Sequence, residues 1–206
     1  KSTLFRILTL SISWLLAGTY YSFGGSLTSI FGILVSVLYM FIPMIVALFI
    51  QKVLYKQEIL KSLNVSFNIN KWFFIAWLIM PILGIGVIGV SVILPDINFT
   101  LEIPEMFERF EGILTPQQLE EAKGELESLP IHPIWLMLAQ GLTAGISINA
   151  IAGFGEELGW RGFLLKQYSE MKFWKASIYI GFIWGIWHAP LILQGHNYAE
   201  HPVIGV

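Results

Sequence analysis

The chain has 206 residues, of which 55% are hydrophobic and 13% are charged, and its formal net charge is -2. A soluble domain carries about 25% charged residues, so the mean hydropathy of +0.69 indicates that lipid surrounds much of the chain. The absence of cysteine excludes a disulfide scaffold and a cysteine nucleophile, and the absence of a basic tail or stripe argues against nucleic acid as a partner.

Long apolar stretches alternate with short polar connections along the chain. A helix needs about 20 apolar residues to cross the hydrocarbon core of a bilayer, and backbone in lipid must satisfy its own hydrogen bonds. The sequence therefore predicts an all-α, polytopic transmembrane bundle that forms a single membrane domain over residues 1–206. At least five spans are expected, at about Leu4–Phe23, Leu27–Leu54, Trp72–Leu94, Pro133–Phe154 and Phe173–Gln194.

The first apolar stretch can be interpreted either as a membrane span or as a signal peptide. Lys1 and Arg6 before an apolar stretch are also typical of a signal peptide, but the end of this stretch lacks small residues at a cleavage spacing, which favours an uncleaved span. Gly24 and Gly25 predict a turn before the second span. Because the chain starts without methionine and stops at Val206 beside a further predicted helix, we expect it to continue into later spans.

Positive charge is concentrated in two connections, whereas the connection between spans three and four is acidic. The lysines and arginine are Lys52, Lys56, Lys61 and Lys71 after span two, and Arg161, Lys166, Lys172 and Lys175 after span four. By the positive-inside rule both connections face the cytoplasm. The N-terminus is then cytoplasmic and the acidic segment 95–131 extracytoplasmic. Within that segment, Thr115, Pro116 and Gln118 are typical of a capped helix start and predict a short acidic helix to about Leu129.

Glu156, Glu157 and Arg161 interrupt the apolar pattern at the inner end of span four, where charge is costly and usually functional. Successive helical residues point about 100° apart, so the two carboxylates need different partners. Glu157 and Arg161 are spaced for an ion pair on one face. Glu156 has no local cation, and an unpaired carboxylate in apolar surroundings suits a general base. A structural acidic pair at a helix end, near the headgroups and nearby lysines, is the alternative.

His188 interrupts span five. A lone histidine on an apolar helix is often structural, but Trp184 lies on the same face and Pro190 removes a backbone donor, which can open the helix around a wet cavity. GxxxG pairs on both spans, at Gly181 and Gly185 on the fifth, favour close packing of spans four and five. Such packing would bring Glu156 and His188 within reach of one water molecule.

The combination Glu156-Glu157-x-x-x-Arg161 followed by Trp184-x-x-x-His188 resembles the CAAX protease and bacteriocin-processing family, also called CPBP or Abi. The resemblance covers about residues 151–194 and is closest to the bacterial branch. It implies that Glu156 activates water as a general base, that His188 orients this water, and that Glu157 and Arg161 position the site and the C-terminal part of a substrate. Trp184 stands where the family usually has phenylalanine.

The family also has a third motif on a later span, His-x-x-x-Asn or a similar acid, which supplies the oxyanion contact. Neither His196 nor His201 begins such a motif, and both lie in a predicted outer loop. We therefore expect the third motif beyond Val206.

The sequence and the resemblance together predict an intramembrane endopeptidase, near the cytoplasmic side of a bacterial plasma membrane. Its expected partners are membrane lipid and a membrane-associated, prenylated CAAX-like or precursor peptide, and its expected cofactor is none, with a divalent metal such as zinc on Glu156 and His188 left open. A catalytic zinc takes three protein ligands and the HExxH spacing is absent. A non-catalytic immunity or sensor-binding membrane protein of the same family is the alternative.

Overall fold

The computed structural model describes residues 1–63, 65–66, 68–95, 100, 107, 115–197 and 203. Among these residues the regular structure is entirely helical, which confirms the predicted all-α membrane fold. The α-helices are α1 (Ser2–Ser22), α2 (Ile30–Leu48), α3 (Ile59–Ser62), α4 (Lys71–Ser91), α5 (Pro116–Glu127), α6 (Pro133–Ala144), α7 (Ile148–Glu157), α8 (Leu165–Gln167) and α9 (Phe173–Leu193). Two π-helices, π1 (Phe49–Leu54) and π2 (Leu158–Leu164), continue α2 and α7.

Within the part of the chain that the structure describes, four continuous helical stretches are long and apolar enough to cross a membrane, and a fifth span is available if one broken pair is counted together. The four are Ser2–Ser22, Ile30–Leu54, Lys71–Ser91 and Phe173–Leu193, and the pair is Pro133–Ala144 with Ile148–Gln167. The protein is therefore an integral membrane protein, in which four of the five predicted spans are continuous helices. Its residues fall into two compact units, unit 1 (Lys1–Phe67 with Asn149–Val206) and unit 2 (Asn68–Ile148), which we describe separately.

In unit 2, the helix that the sequence predicts from Pro133 to Phe154 ends early, at Ala144. The Thr143 hydroxyl bonds the carbonyl of Ala139 at 2.8 Å, and the Ser147 hydroxyl bonds the carbonyl of Thr143 at 2.7 Å. Hydroxyl groups that bond preceding carbonyls compete with the backbone ladder and bend or end helices. An uninterrupted fourth span is therefore wrong.

The other helices of unit 2 are placed as predicted. Trp77 on α4 donates its indole N–H to the carbonyl of Leu142 at 3.0 Å. Helix α5 begins with the predicted cap, because Thr115 and Gln118 bond each other's backbone reciprocally. Part of the acidic segment, residues 96–99, 101–106 and 108–114, lies outside the described residues.

In unit 1, the turn between α1 and α2 forms as predicted. Gly24 has a φ of +78°, a conformation that residues with a side chain rarely adopt. A Cβ atom on Gly25 would lie 2.5 Å from the ring of Tyr20. That ring is held by its hydroxyl, which donates to the carbonyl of Ser26 at 2.9 Å. The turn thus folds α1 back against α2.

The core of unit 1 is a cluster of aromatic side chains from four helices. Phe5, Tyr39, Trp160, Phe163 and Trp187 are all fully buried. Ring centroids are 5.5 Å apart for Phe5 and Trp160, 5.6 Å for Trp160 and Trp187, and 4.7 Å for Tyr39 and Trp187. Such edge-on and tilted contacts are favourable for aromatic quadrupoles. The cluster joins α1, α2, π2 and α9 around one centre.

Glycines let the end of α7 and π2 approach α2 to backbone contact. Gly155 and Gly159 are four residues apart, so they share a helix face. A Cβ atom on Gly159 would lie 2.4 Å from the Cβ of Pro43, and one on Gly155 would lie 3.0 Å from the carbonyl oxygen of Met40. Small residues permit such close approach in membrane helices, where packing replaces hydrophobic attraction between helices.

Two expectations for the fifth span are wrong. A Cβ atom on Gly181 or Gly185 would meet none of the described residues within 4 Å, so this GxxxG pair makes no close helix contact with them. Helix α9 also runs through Pro190 to Leu193 without the expected opening. The helix that packs closely against the glutamate-bearing segment through glycine is α2.

We expect Gly159→Ala to destabilise the fold, because the added methyl group would overlap Pro43, which is part of α2. Overpacking typically costs about 1–3 kcal/mol. Thermal unfolding in detergent should show a lowered midpoint for this variant. Gly181→Ala is the matched control in a helix with open space, and it should leave the midpoint unchanged or raise it. Equal midpoints for both variants would contradict the close contact.

Candidate active site

Glu156 lies near the C-terminal end of α7 with only 8% of its surface exposed. Its Oε2 accepts a hydrogen bond of 3.1 Å from the indole Nε1–H of Trp184 on α9. The carboxylate therefore has a neutral donor in place of a cation. Because the indole occupies one carboxylate oxygen, the other is available for a hydrogen bond from water.

Glu157, the neighbouring carboxylate, has a different partner, as predicted. It forms an ion pair with Arg161 one helical turn later. The two side chains are 42% and 55% exposed, so the pair adds little to stability. Its structural effect is to direct the guanidinium, whose carbon lies 5.3 Å from the centroid of the Trp184 ring. Arg161 belongs to π2, and single-turn π segments are frequent at functional sites.

His188 is oriented by the residue four positions earlier. Its Nδ1 lies 2.9 Å from the carbonyl oxygen of Trp184. A carbonyl oxygen only accepts hydrogen bonds, so Nδ1 carries the hydrogen. In the neutral ring Nε2 then has a lone pair and acts as an acceptor. The imidazole ring packs against the indoles of Trp184 and Trp187, with centroids 5.3 Å and 4.6 Å away.

Trp184 therefore contacts three of the other four residues that the sequence singles out. Its indole N–H bonds Glu156, its ring faces Arg161, and its carbonyl and ring fix His188. Glu157 joins this set through Arg161. The structure thus brings all five side chains into one connected group in unit 1, although they come from two separate spans.

Two residues that the sequence analysis missed support this group from the first two helices. Ser13 on α1 is fully buried and accepts a hydrogen bond of 2.8 Å from Nε1 of Trp187. Tyr39 on α2 donates its hydroxyl to the carbonyl of Trp187. Both hold the residue next to His188. The polar residues Thr9 and Ser13, one turn apart in an apolar span, were the signal that could have pointed to this face of α1.

A groove of 290 Å³ lies beside the ion pair. Its wall contains Glu157 and Arg161 as charged groups, and Leu63, Phe154 and Leu158 as apolar ones. A guanidinium at the side of a partly apolar groove can pair with a carboxylate while apolar side chains of the same molecule pack nearby.

A zinc site that includes Glu156 and His188 stays a prediction. Within residues 1–197, apart from the gaps given above, no three histidine, aspartate or glutamate side chains come together. A catalytic zinc takes three protein ligands plus water. Glu156 and His188 would supply two of these three ligands.

Comparison with known proteins identifies the part of the chain that holds this group. Residues 130–204 match the family model described as Type II CAAX prenyl endopeptidase Rce1-like. A segment of 49 residues is 43% identical to the CAAX prenyl protease 2 of Methanococcus maripaludis, which is 23% of this chain and 18% of that protein. No solved structure matches the chain significantly.

These findings confirm the resemblance to CAAX endopeptidases for the region that contains the five site residues. The placement in the bacterial branch, the link to bacteriocin immunity and the individual roles of the five residues stay predictions. The matched segment spans under a fifth of the curated relative.

We expect Ser13→Ala to weaken the fold around His188, because the buried indole N–H of Trp187 would lose its acceptor. An unsatisfied buried donor costs about 1–3 kcal/mol. Thermal unfolding in detergent measures this loss. Ser11→Ala, on an exposed position of the same helix, is the control and should change the midpoint little. If the two variants unfold alike, the Ser13–Trp187 bond does not support the site.

Proposed function

We propose, from the match of residues 130–204 to the family described as Type II CAAX prenyl endopeptidase Rce1-like, that the protein is an intramembrane CAAX-type endopeptidase. The contacts of Trp184 support this most directly, since they join a buried carboxylate, a histidine with an available acceptor nitrogen and an exposed arginine. These are the groups that water-mediated peptide hydrolysis needs, and no serine or cysteine nucleophile is required.

Glu156 and His188 would hold the attacking water together. The free carboxylate oxygen of Glu156 and Nε2 of His188 are both acceptors, so each takes one hydrogen of the same water molecule. The oxygen lone pair of this water is then directed away from both residues, toward a substrate carbonyl. Holding reactants in this way removes much of the entropic barrier to attack.

Hydrolysis then follows in two steps. Glu156 takes a proton from the water as the oxygen forms a bond to the carbonyl carbon, and the carbonyl electron pair moves onto its oxygen. When the tetrahedral intermediate collapses, the carbon–nitrogen bond breaks and the protonated Glu156 gives its proton to the leaving nitrogen. The products are a new carboxyl end and a new amine, and the Glu156 carboxylate is restored.

The substrate is the C-terminal part of a membrane-associated peptide or protein, of the prenylated CAAX type. Arg161 is exposed beside the 290 Å³ groove, where its guanidinium can pair with the substrate's terminal carboxylate. The apolar wall of the groove suits the aliphatic residues that precede such a terminus. The lipid attached to the substrate would lie in the surrounding bilayer, along the exposed apolar faces of the helices.

The active site opens toward the cytoplasm of a plasma membrane. Lysines from three segments that the positive-inside rule assigns to the cytoplasm, Lys1, Lys61 and Lys166, line one cavity in unit 1. Arg161 precedes Lys166 by little more than one helical turn. The reactive group is therefore near the same end of the unit as these charges.

Replacement of Glu156 by Gln should abolish cleavage, because an amide cannot take a proton from water. Loss of a general base lowers rates by about 100- to 10,000-fold. The measurement is cleavage of prenylated and unprenylated CAAX-type peptides by the full-length protein in lipid. Glu170→Gln removes an exposed carboxylate in the connection before α9 and should cleave at the rate of the natural protein. Retained cleavage by the Glu156→Gln variant would contradict the proposal. If neither protein cleaves any peptide but the variant keeps the cellular phenotype of the natural protein, a binding function is favoured.

Replacement of Trp184 by Phe should lower kcat and leave KM nearly unchanged. The ring stays beside His188 and Arg161, but the N–H that orients Glu156 is lost. Hydrogen bonds to charged groups are worth about 1.5–3 kcal/mol, so we expect roughly a 10- to 100-fold lower kcat. Trp174→Phe is the control on the same helix, at a position that is 74% exposed. An unchanged kcat for Trp184→Phe would show that the indole N–H does not position the base.

A further inference from the structure

A second polar cavity lies in unit 1, away from the Glu156–His188 pair. Its volume is 580 Å³, within the range of ligand pockets. The wall is built from the start of α1, from π1, from the segment around α3 and from α8 with the residues that follow it. The cavity is thus formed where several helices meet at one end of the unit.

The lining of this cavity is positively charged. Lys1, Lys61 and Lys166 line it, and Glu58 is its one carboxylate among the residues that the structure describes. The three lysines belong to different segments, so the fold itself brings them together. Like charges gathered in this way repel one another unless an anion lies between them.

Two of these lysines are anchored on the protein. Nζ of Lys166 donates to the carbonyl of Lys61 at 3.0 Å, and Nζ of Lys1 lies 4.1 Å from the centroid of the Tyr55 ring. The contacts restrict the side chains, so less entropy is lost when they bind a ligand.

Gln51 adds an independent feature. It lies in π1 at the wall of the cavity, only 2% of its surface is exposed, and its Oε1 has no hydrogen-bond partner among the described residues. Buried polar groups in native proteins almost always have a partner. The amide can be turned by 180°, so that either its oxygen or its NH₂ group faces a ligand. Ser62 lines the same wall, and its hydroxyl donates to the carbonyl of Ile59 at 3.1 Å.

We propose that this cavity is a phosphate-binding site, which takes the phosphate of an anionic lipid headgroup or of a small soluble phosphate. Lysine binds phosphate as a point charge, and basic pockets between membrane helices on the cytoplasmic side suit lipid headgroups. The amide of Gln51 can supply a further donor. Because α8 directly continues π2, a phosphate held by Lys166 would also steady the segment that carries Arg161.

The test measures binding without cleavage, so its outcome does not depend on the proposed protease activity. The full-length protein in detergent is titrated with short-chain phosphatidylglycerol by isothermal titration calorimetry. The variant Lys61→Gln with Lys166→Gln should bind about tenfold more weakly, since each lysine near the headgroup contributes to the attraction. The control, Lys172→Gln with Lys175→Gln, removes the same charge from exposed positions that do not line the cavity. It should bind less than about twofold more weakly, because salt screens distant exposed charges.

Competition by inorganic phosphate identifies the source of the phosphate. If millimolar inorganic phosphate displaces the lipid, a soluble phosphate suffices, and if it does not, the lipid is the ligand. Absence of saturable binding by both probes, or equal weakening by the two double variants, would overturn the proposal. Thermal unfolding without added lipid checks that the variants are folded. If the double variant is not folded, the single variant Lys61→Gln replaces it in the titration, because it keeps the backbone carbonyl that accepts the hydrogen bond from Lys166.

Discussion

The hydrogen bond from the Trp184 indole to the Glu156 carboxylate is the interaction on which the arrangement of the site depends. An indole N–H is only a donor, and in an apolar span it needs an acceptor. A buried carboxylate needs a donor for the same reason. Each group satisfies the other at 3.1 Å. This mutual need fixes α7 against α9 at the depth where both residues lie.

The same tryptophan also settles the state of the histidine. Its carbonyl takes the hydrogen of Nδ1, which leaves Nε2 as an acceptor. Its ring faces the guanidinium of Arg161. The family that the chain resembles usually has phenylalanine at this position. Tryptophan differs from it chemically, since phenylalanine has no N–H to donate to Glu156.

The rest of unit 1 makes this contact possible. Between lipid-covered helices there is little hydrophobic attraction, so packing and hydrogen bonds must hold them together. Gly159 allows backbone contact with α2 at Pro43, and the aromatic cluster fills the space around Trp187. Ser13 and Tyr39 satisfy polar groups of that tryptophan. The five candidate site residues thus stand on helices whose mutual positions are set by several independent contacts.

The sequence by itself determined the solvent, four of the five spans as continuous helices, and the residues that stand out chemically. Apolar length fixes membrane helices because backbone in lipid must bond internally, and the glutamate pair, Arg161, Trp184 and His188 stood out since charge and imidazole are costly there. The Glu157–Arg161 pair followed from helical spacing alone.

Contacts between distant segments were decided only by the tertiary structure. Spacing did not reveal that Gly155 and Gly159 contact α2 while a side chain on Gly181 would contact none of the described residues, because a small residue permits close packing without choosing the partner. Nor did it reveal the bond between Trp184 and Glu156 or the support from Ser13, which join residues far apart in the chain. Helical periodicity fixes which face a residue occupies, whereas the neighbour of that face depends on how all the helices fill the same space.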